Sequence, residues 1–317
     1  MMKKALFWLT LLIITAAFAS QLFISKSYEK VAIGTTDQST IKIILVGDMV
    51  FDRGVKYMID REGNGDFKFP FLKIADQLNK ADIVFGNLEG PISDKGTKVG
   101  SIYSFRNDLQ TLDGLAFAGF NVISLANNHA FDYSKVALED CLARLTAAGI
   151  VYAGAGFNER EAFSPTIKEI AGTKIGFLAY TNLGPASWRA NGENSGIAWI
   201  DNDSFESLRW QIQEAKKKSD VLIISLHVGE EYQETPTQFQ IDFNEMAYVS
   251  GADLVVNHHP HVVQQGFYSL GNFIFDQGFS EKTMASQIIE INIQNKEIKE
   301  IIKKDVKINE FFQPEIK

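Results

Sequence analysis

Along the chain, short runs of β-branched and apolar residues alternate with longer stretches in which apolar positions recur every three or four residues. Residues 41–46, 83–85, 122–125, 175–180, 221–226 and 254–256 belong to the first kind and read as short strands. Between them, Leu138, Cys141, Leu142 and Leu145 fall at i, i+3, i+4 and i+7, and Gly149 closes the helix they predict. Cys141 lies on that stripe and is expected in the core. A second helix is expected over about 203–218, and its Lys216-Lys217-Lys218 ending reads as a solvated run at the negative end of the helix dipole. Residues 286–294 and 298–308 are rich in isoleucine and alternate, which predicts late antiparallel strands. With no internal repeat or low-complexity linker, the pattern gives one α/β domain over about 41–309 and a tail over 310–317.

The N-terminus has a different pattern. Lys3 and Lys4 precede an apolar run from Ala5 to Ala19 that continues through Leu22, Phe23 and Ile24. A charged start followed by an apolar stretch marks an export signal, and Ala17-Phe18-Ala19 offers a small-x-small cleavage site. Counted to Ile24, the run is also about the 20 residues that span a bilayer. Residues 1–24 are therefore expected to be a signal peptide or an N-terminal membrane anchor, with 25–40 a polar linker. Either way the two lysines stay inside and the body lies outside the cytoplasm, membrane-anchored or secreted.

Composition narrows the classes. Hydrophobic residues at 45% and charged residues at 22% suit a packed fold and exclude disorder. A net charge of −8 argues against nucleic acid as a partner. A single cysteine rules out an intrachain disulfide.

The candidate chemistry follows the strands. The first ends in Gly47-Asp48, the second in Gly86-Asn87-Leu88-Glu89, and the third in Ala126-Asn127-Asn128-His129 with Asp132 close behind. Later strands end in His227-Val228-Gly229-Glu230-Glu231-Tyr232, in Asn257-His258-His259-Pro260-His261, and in Gly271-Asn272. Ligands of α/β sheets bind beyond the carboxyl ends of strands. All five histidines fall in three of these segments. Singly, Asp48 could be a helix cap, Asn127 or Asn128 a turn residue, and Glu89 a solvated carboxylate. Together they point to a metal-type or polar catalytic centre. No P-loop, dinucleotide fingerprint or serine elbow is present.

The same motifs resemble the CapA (poly-γ-glutamate capsule biosynthesis) family, from about residue 43 to 276. They are Gly47-Asp48 with Arg53, Asn87-Leu88-Glu89, Asn127-Asn128-His129 with Asp132-Tyr133, His227-Val228-Gly229-Glu230-Glu231-Tyr232, His258-His259-Pro260-His261, and Gly271-Asn272-Phe273 through Asp276. That family looks like a branch of the calcineurin-like metallophosphatases, which implies a sandwich of two β-sheets flanked by helices. The resemblance implies Asp48, Glu89, Asn128, His227, His259 and His261 as metal ligands, for one or two divalent ions of the Mn, Zn or Fe type. It implies His129 as a general acid oriented by Asp132, and Arg53, Asn87, Glu231 and Tyr232 as substrate contacts. Val50 stands where the wider superfamily usually has a second ligand after its first aspartate.

The implied function is a membrane-associated role in capsule or poly-γ-glutamate biosynthesis or export, with metal-assisted hydrolysis or transfer at the site. Expected partners are an anionic polymer or a phosphoester or γ-glutamyl substrate, and membrane capsule synthase subunits. Two other readings stay open. One is a secreted metal-dependent phosphoesterase or γ-glutamyl hydrolase unconnected to capsule, and the other is a non-catalytic subunit of a membrane synthase.

Overall fold

The computed structural model describes residues 40–99 and 102–317. The expected leader or anchor (1–24) and the linker up to residue 39 lie outside the described residues. Among the described residues, no helix is long and apolar enough to cross a membrane.

The chain opens with β1 (Ile41–Met49), helix α1 (Arg53–Arg61) and a short α2 (Ala75–Leu78). Then come β2 (Ile83–Leu88), α3 (Thr111–Phe117), β3 (Phe120–Ser124), α4 (Ser134–Ala147) and β4 (Val151–Ala153). A small β5 (Ala155–Gly156), α5 (Glu159–Phe163), β6 (Thr166–Ile170), β7 (Thr173–Thr181) and β8 (Gly196–Ile197) follow. Next are α6 (Phe205–Lys218), β9 (Val221–His227), α7 (Gln238–Val249) and β10 (Leu254–His258). The chain ends with β11 (Val263–Gln264), β12 (Ser269–Leu270), β13 (Asn272–Ile274), β14 (Ala285–Gln294), β15 (Glu297–Ile308) and β16 (Pro314–Ile316).

Among the described residues, β16, β15, β14, β1, β2, β3 and β4 lie side by side, and β13 pairs with the far end of β1 to complete an eight-stranded sheet. A second sheet of four strands runs β10, β9, β7, β6. β1 to β4 are mutually parallel, as are β7, β9 and β10, so the strand ends that carry polar residues gather at one edge. Side-chain alternation then assigns the layers. Ile43, Leu45, Phe85 and Val122 face Phe177, Ile223 and Val256 between the sheets, and Phe85 stacks on Phe177 with ring centroids 5.6 Å apart. Ile44, Val46, Val84 and Ile123 turn outward to pack on Val55, Leu138 and Leu142 of the helices over the first sheet. Leu222, Ile224 and Val255 turn to Leu208, Ile212 and Phe243 on the other side. The result is the expected α/β arrangement, two sheets face to face with helices outside each.

Several local expectations shift. β9 and β10 run on through His227 and His258, so these histidines are the last residues of strands instead of loop residues. The helix expected from about 203 is preceded by a 3₁₀ turn at Asn202–Ser204 that Asp201 caps, and the α-helix proper begins at Phe205. Its lysine ending is only partly solvated, because Lys216 Nζ donates to Asp253 Oδ2 at 2.6 Å and to the Asp220 carbonyl. Residues 310–317, expected as a tail, supply β16, which pairs with Val306–Ile308.

Cys141 is buried on α4, where it accepts from Ile92 N–H at 3.3 Å, and burial pushes its thiol up to about 12. Its neighbour Asp140 ties this helix to the loop after β2. The carboxylate meets Lys95 Nζ at 2.7 Å, Arg144 Nε at 2.7 Å and Ser93 Oγ at 2.7 Å. Burial pushes its pKa up, but these three hydrogen bonds outweigh burial and leave it at about 2, below an ordinary value of 3.8. A depressed native pKa adds stability above the unfolded value and loses it as pH falls through the folded one. Asp140→Asn is expected to lower unfolding free energy by about 2 kcal/mol at pH 7. Urea titrations should show that difference shrinking below about pH 4 and nearly gone at about pH 2.

Candidate metal centre

Strand alternation alone would send Asp48 to the wrong side. Leu45 faces the space between the sheets, so a residue three positions on would face the helices. A bulge between Leu45 and Asp48 supplies the extra residue that turns Asp48 inward. Gly47 makes this possible. A Cβ there would lie 1.9 Å from the Gly271 carbonyl oxygen, to which Asp48 N–H donates at 3.1 Å. Register then sets two rows facing each other. Asn272, Asp48, Asn87 and Ser124 are level across the first sheet, and Thr181, His227 and His258 across the second.

A continuous hydrogen-bond chain joins these rows. Asn87 Nδ2 donates to Asp48 Oδ1 at 2.8 Å and to His227 Nδ1 at 3.1 Å. Its own Oδ1 accepts from Asn127 Nδ2 at 3.1 Å. His227 Nε2 lies 2.8 Å from Asn128 Oδ1, and Asn128 Nδ2 lies 3.1 Å from His129 Nε2. His129 Nδ1 is 2.6 Å from Asp132 Oδ2, which also accepts from Phe105 N–H at 2.7 Å. The Phe105 ring stacks on the imidazole with centroids 4.1 Å apart. Asp48 Oδ2 accepts from His259 N–H at 3.0 Å, and His261 Nδ1 pairs with Asn272 Oδ1 at 2.9 Å.

Three observations fit a cation. Both Glu89 oxygens are buried without a hydrogen-bond partner, and one lies 3.9 Å from His227 Nε2. Donor atoms of Asp48, Glu89 and His227 lie within 4.8 Å of one another, as do those of Glu231, His259 and His261. The charges agree with this. Burial, then the Asp48, Glu231 and Asp132 carboxylates, push Glu89 well above the usual range. Burial would also raise Asp48, yet the imidazoles of His258, His227 and His261 outweigh it and hold that carboxyl well below the usual range. Burial drives His227 and His261 down and takes His259 to about 3, so all three imidazoles are neutral at pH 7.

Of the residues expected at the site, Asp48, Glu89, Asn128, His227, His259 and His261 converge, with His129 and Asp132 beside them. Asn87 does not reach the substrate side. It is fully buried, and its amide is spent on Asp48, His227 and Asn127. Arg53 lines the cleft, but its guanidinium is paired with Asp276 and lies 4.5 Å over the Phe105 ring, so its charge is already answered. Glu231 and Tyr232 line the same cleft, of about 620 Å³, with Tyr103, Phe105 and Phe279. Asn127 braces the loop from within, donating to the Leu88 carbonyl at 2.8 Å and accepting from His129 N–H at 3.1 Å. Val50 is buried in the helix-side core and offers no ligand.

Sequence reasoning gave His258 and Asp276 no role of their own within the motifs that contain them, and did not name Phe105. His258 Nδ1 lies 3.4 Å from Asp48 Oδ1, and both of its ring nitrogens are buried without a hydrogen-bond partner. Counting by twos from Leu254 along β10 would have placed it on the inner face. Nothing local marks Phe105.

Residues 42–277 match the sequence profile of the family described as bacterial capsule synthesis protein PGA_cap. The chain belongs to this family. It is 30% identical over 272 residues to the capsule biosynthesis protein CapA of Bacillus anthracis, a match covering 82% of this chain and 65% of that protein. It is 28% identical to the PGA biosynthesis protein CapA of Bacillus subtilis strain 168, over 82% of this chain and 70% of that one. A solved structure described as a novel phosphatase from Mycoplasma pneumoniae superposes with a TM-score of 0.50 at 15% identity, covering 85% of this chain and 94% of that one. At that identity the likeness speaks for the fold, which is metallophosphatase-like.

The glycine before Asp48 gives a direct check. Gly47→Ala would push β1 away from Gly271 and is expected to cost about 3 kcal/mol or more. Denaturant unfolding would measure it, with a conservative Val46→Ile change as the control for strand packing.

Proposed function

We propose that this chain acts outside the cytoplasm in the biosynthesis or export of capsule polymer of the poly-γ-glutamate class, through a divalent-cation centre suited to hydrolysis or transfer. The observation that carries the catalytic part is Glu89, whose two buried oxygens lack any partner and face the other donors. Family membership supports the capsule part. The apolar run behind Lys3 and Lys4 supports placement at or beyond the membrane, where synthase subunits would be the partners.

Asp48, Glu89, Asn128, His227, His259 and His261 would hold the cation, of the Mn, Zn or Fe type. Bound there, it would supply Lewis acidity and an activated water. The chain's own groups do the rest. Asp132 and Phe105 fix the His129 ring with its Nε2 3.7 Å from Glu89 Oε2, at the edge of the cleft. From there His129 can pass a proton to a leaving group. The Asn87 amide keeps Asp48 and His227 aimed at one point, as outer partners of ligands do.

Metal analysis of protein purified without chelator, joined to a screen of phosphoesters and γ-glutamyl polymers, tests this. His259→Ala is expected to lose cation affinity by more than the ~10–100-fold typical of an outer-partner change. His129→Ala should keep the cation and lose about 10²–10⁴ in turnover. A wild-type protein that neither carries nor is thermally stabilised by Mn²⁺ or Zn²⁺ would end the catalytic reading. Unchanged extracellular polymer after deletion of the gene would end the capsule reading.

A further inference from the structure

His258 is set apart from the other histidines at this edge. It does not line the cleft, and it lies outside both gatherings of donor atoms. β10 delivers it to the space between the sheets, level with His227, and its carbonyl accepts from Val228 N–H at 3.2 Å. The ring is fully buried beside Phe85, with centroids 6.4 Å apart.

Its hydrogen bonding differs as well. His227 Nδ1 faces the Asn87 amide and its Nε2 faces that of Asn128. His129 Nδ1 faces Asp132, and His261 Nδ1 faces Asn272. Both His258 nitrogens are buried with no hydrogen-bond partner. Burying a polar group in this way costs free energy, and an apolar side chain of similar size would not incur that cost. A fold that keeps an imidazole there gives up stability, which is the mark of a residue held for function.

The group that gives it a function is Asp48. His258 Nδ1 lies 3.4 Å from Asp48 Oδ1, slightly longer than a formed hydrogen bond. Asp48 already accepts from Asn87 Nδ2 on Oδ1 at 2.8 Å and from His259 N–H on Oδ2 at 3.0 Å. A carboxylate offers about four acceptor positions. A third donor at Oδ1 would therefore steady the group and still leave a lone pair for a cation.

We propose that His258 is a positioning residue for Asp48, its Nδ1–H steadying the carboxylate as a cation ligand, and that the imidazole is kept for this although it destabilises the fold. This rests on reading the edge as a cation centre. Outer partners of this kind orient a ligand and strengthen its hold on a metal without touching the metal.

Calorimetric titration of the full chain with Mn²⁺, joined to thermal melting of the chelator-treated protein, tests this. His258→Leu is expected to melt at or above wild type without cation, yet to bind Mn²⁺ about 10–100-fold more weakly. His258→Asn keeps an N–H close to the place of the imidazole Nδ1 and should recover most of that affinity. Unchanged Mn²⁺ affinity in His258→Leu would overturn the proposal. So would a leucine variant that melts well below wild type or fails to fold, because His258 would then be a stabilising core residue. An asparagine variant that binds as weakly as the leucine one would overturn the donor role. A wild type that binds neither Mn²⁺ nor Zn²⁺ would remove the cation reading itself, and this role with it.

Discussion

One irregularity in β1 governs everything at the active edge. Without the bulge ahead of Asp48, the carboxylate would face the apolar layer under α1 and α4, where nothing could answer its charge. With it, Asp48 joins Asn87 and His227 between the sheets. The bulge depends on the backbone of β1 meeting the carbonyl of Gly271, and only a glycine at 47 allows that approach. Asp48 is thus positioned by sheet geometry, and the loops add the other side chains of the centre.

The electrostatics of the centre follow from this placement. Asp48, Glu89 and Asp132 approach one another in a buried space, with Glu231 near the rim, while desolvation keeps the surrounding histidines uncharged. Asn87 bridges Asp48 and His227, Asn128 bridges His227 and His129, and Asn127 braces Asn87, so much of the centre is hydrogen-bonded. The two Glu89 oxygens, both His258 ring nitrogens and His259 Nδ1 are left without a hydrogen-bond partner. Unpaired groups gathered beside a hydrogen-bonded shell support the proposal of a cation centre there.

Much of this was legible in the sequence because strand ends announce themselves. Short β-branched, apolar runs that stop near Asp48, Asn87, His227 and His258 carried both the α/β class and the location of the chemistry. What the sequence hid was long-range. Arg53 reads as a substrate anchor until Asp276 is seen beside it, and no local pattern links those two positions. Asn87 reads as a substrate contact from the family resemblance, yet its amide is buried and spent on Asp48 and His227. Residues 310–317 look like a polar tail, and they become a strand because β15 is long enough to leave its end open for pairing.

The bulge also ties the site to the order in which the chain is made. Asp48 and the His259 amide that holds it are 211 residues apart, and the Gly271 carbonyl comes later still. A nascent chain emerging from its start would therefore expose β1 long before the partner that bends it exists. Until β13 and β14 arrive to flank β1, its carboxylate has no defined direction. The centre can be assembled only once the chain has been made as far as Gly271 and Asn272, so a protein cut short before β13 would lack the site as well as the edge of its sheet.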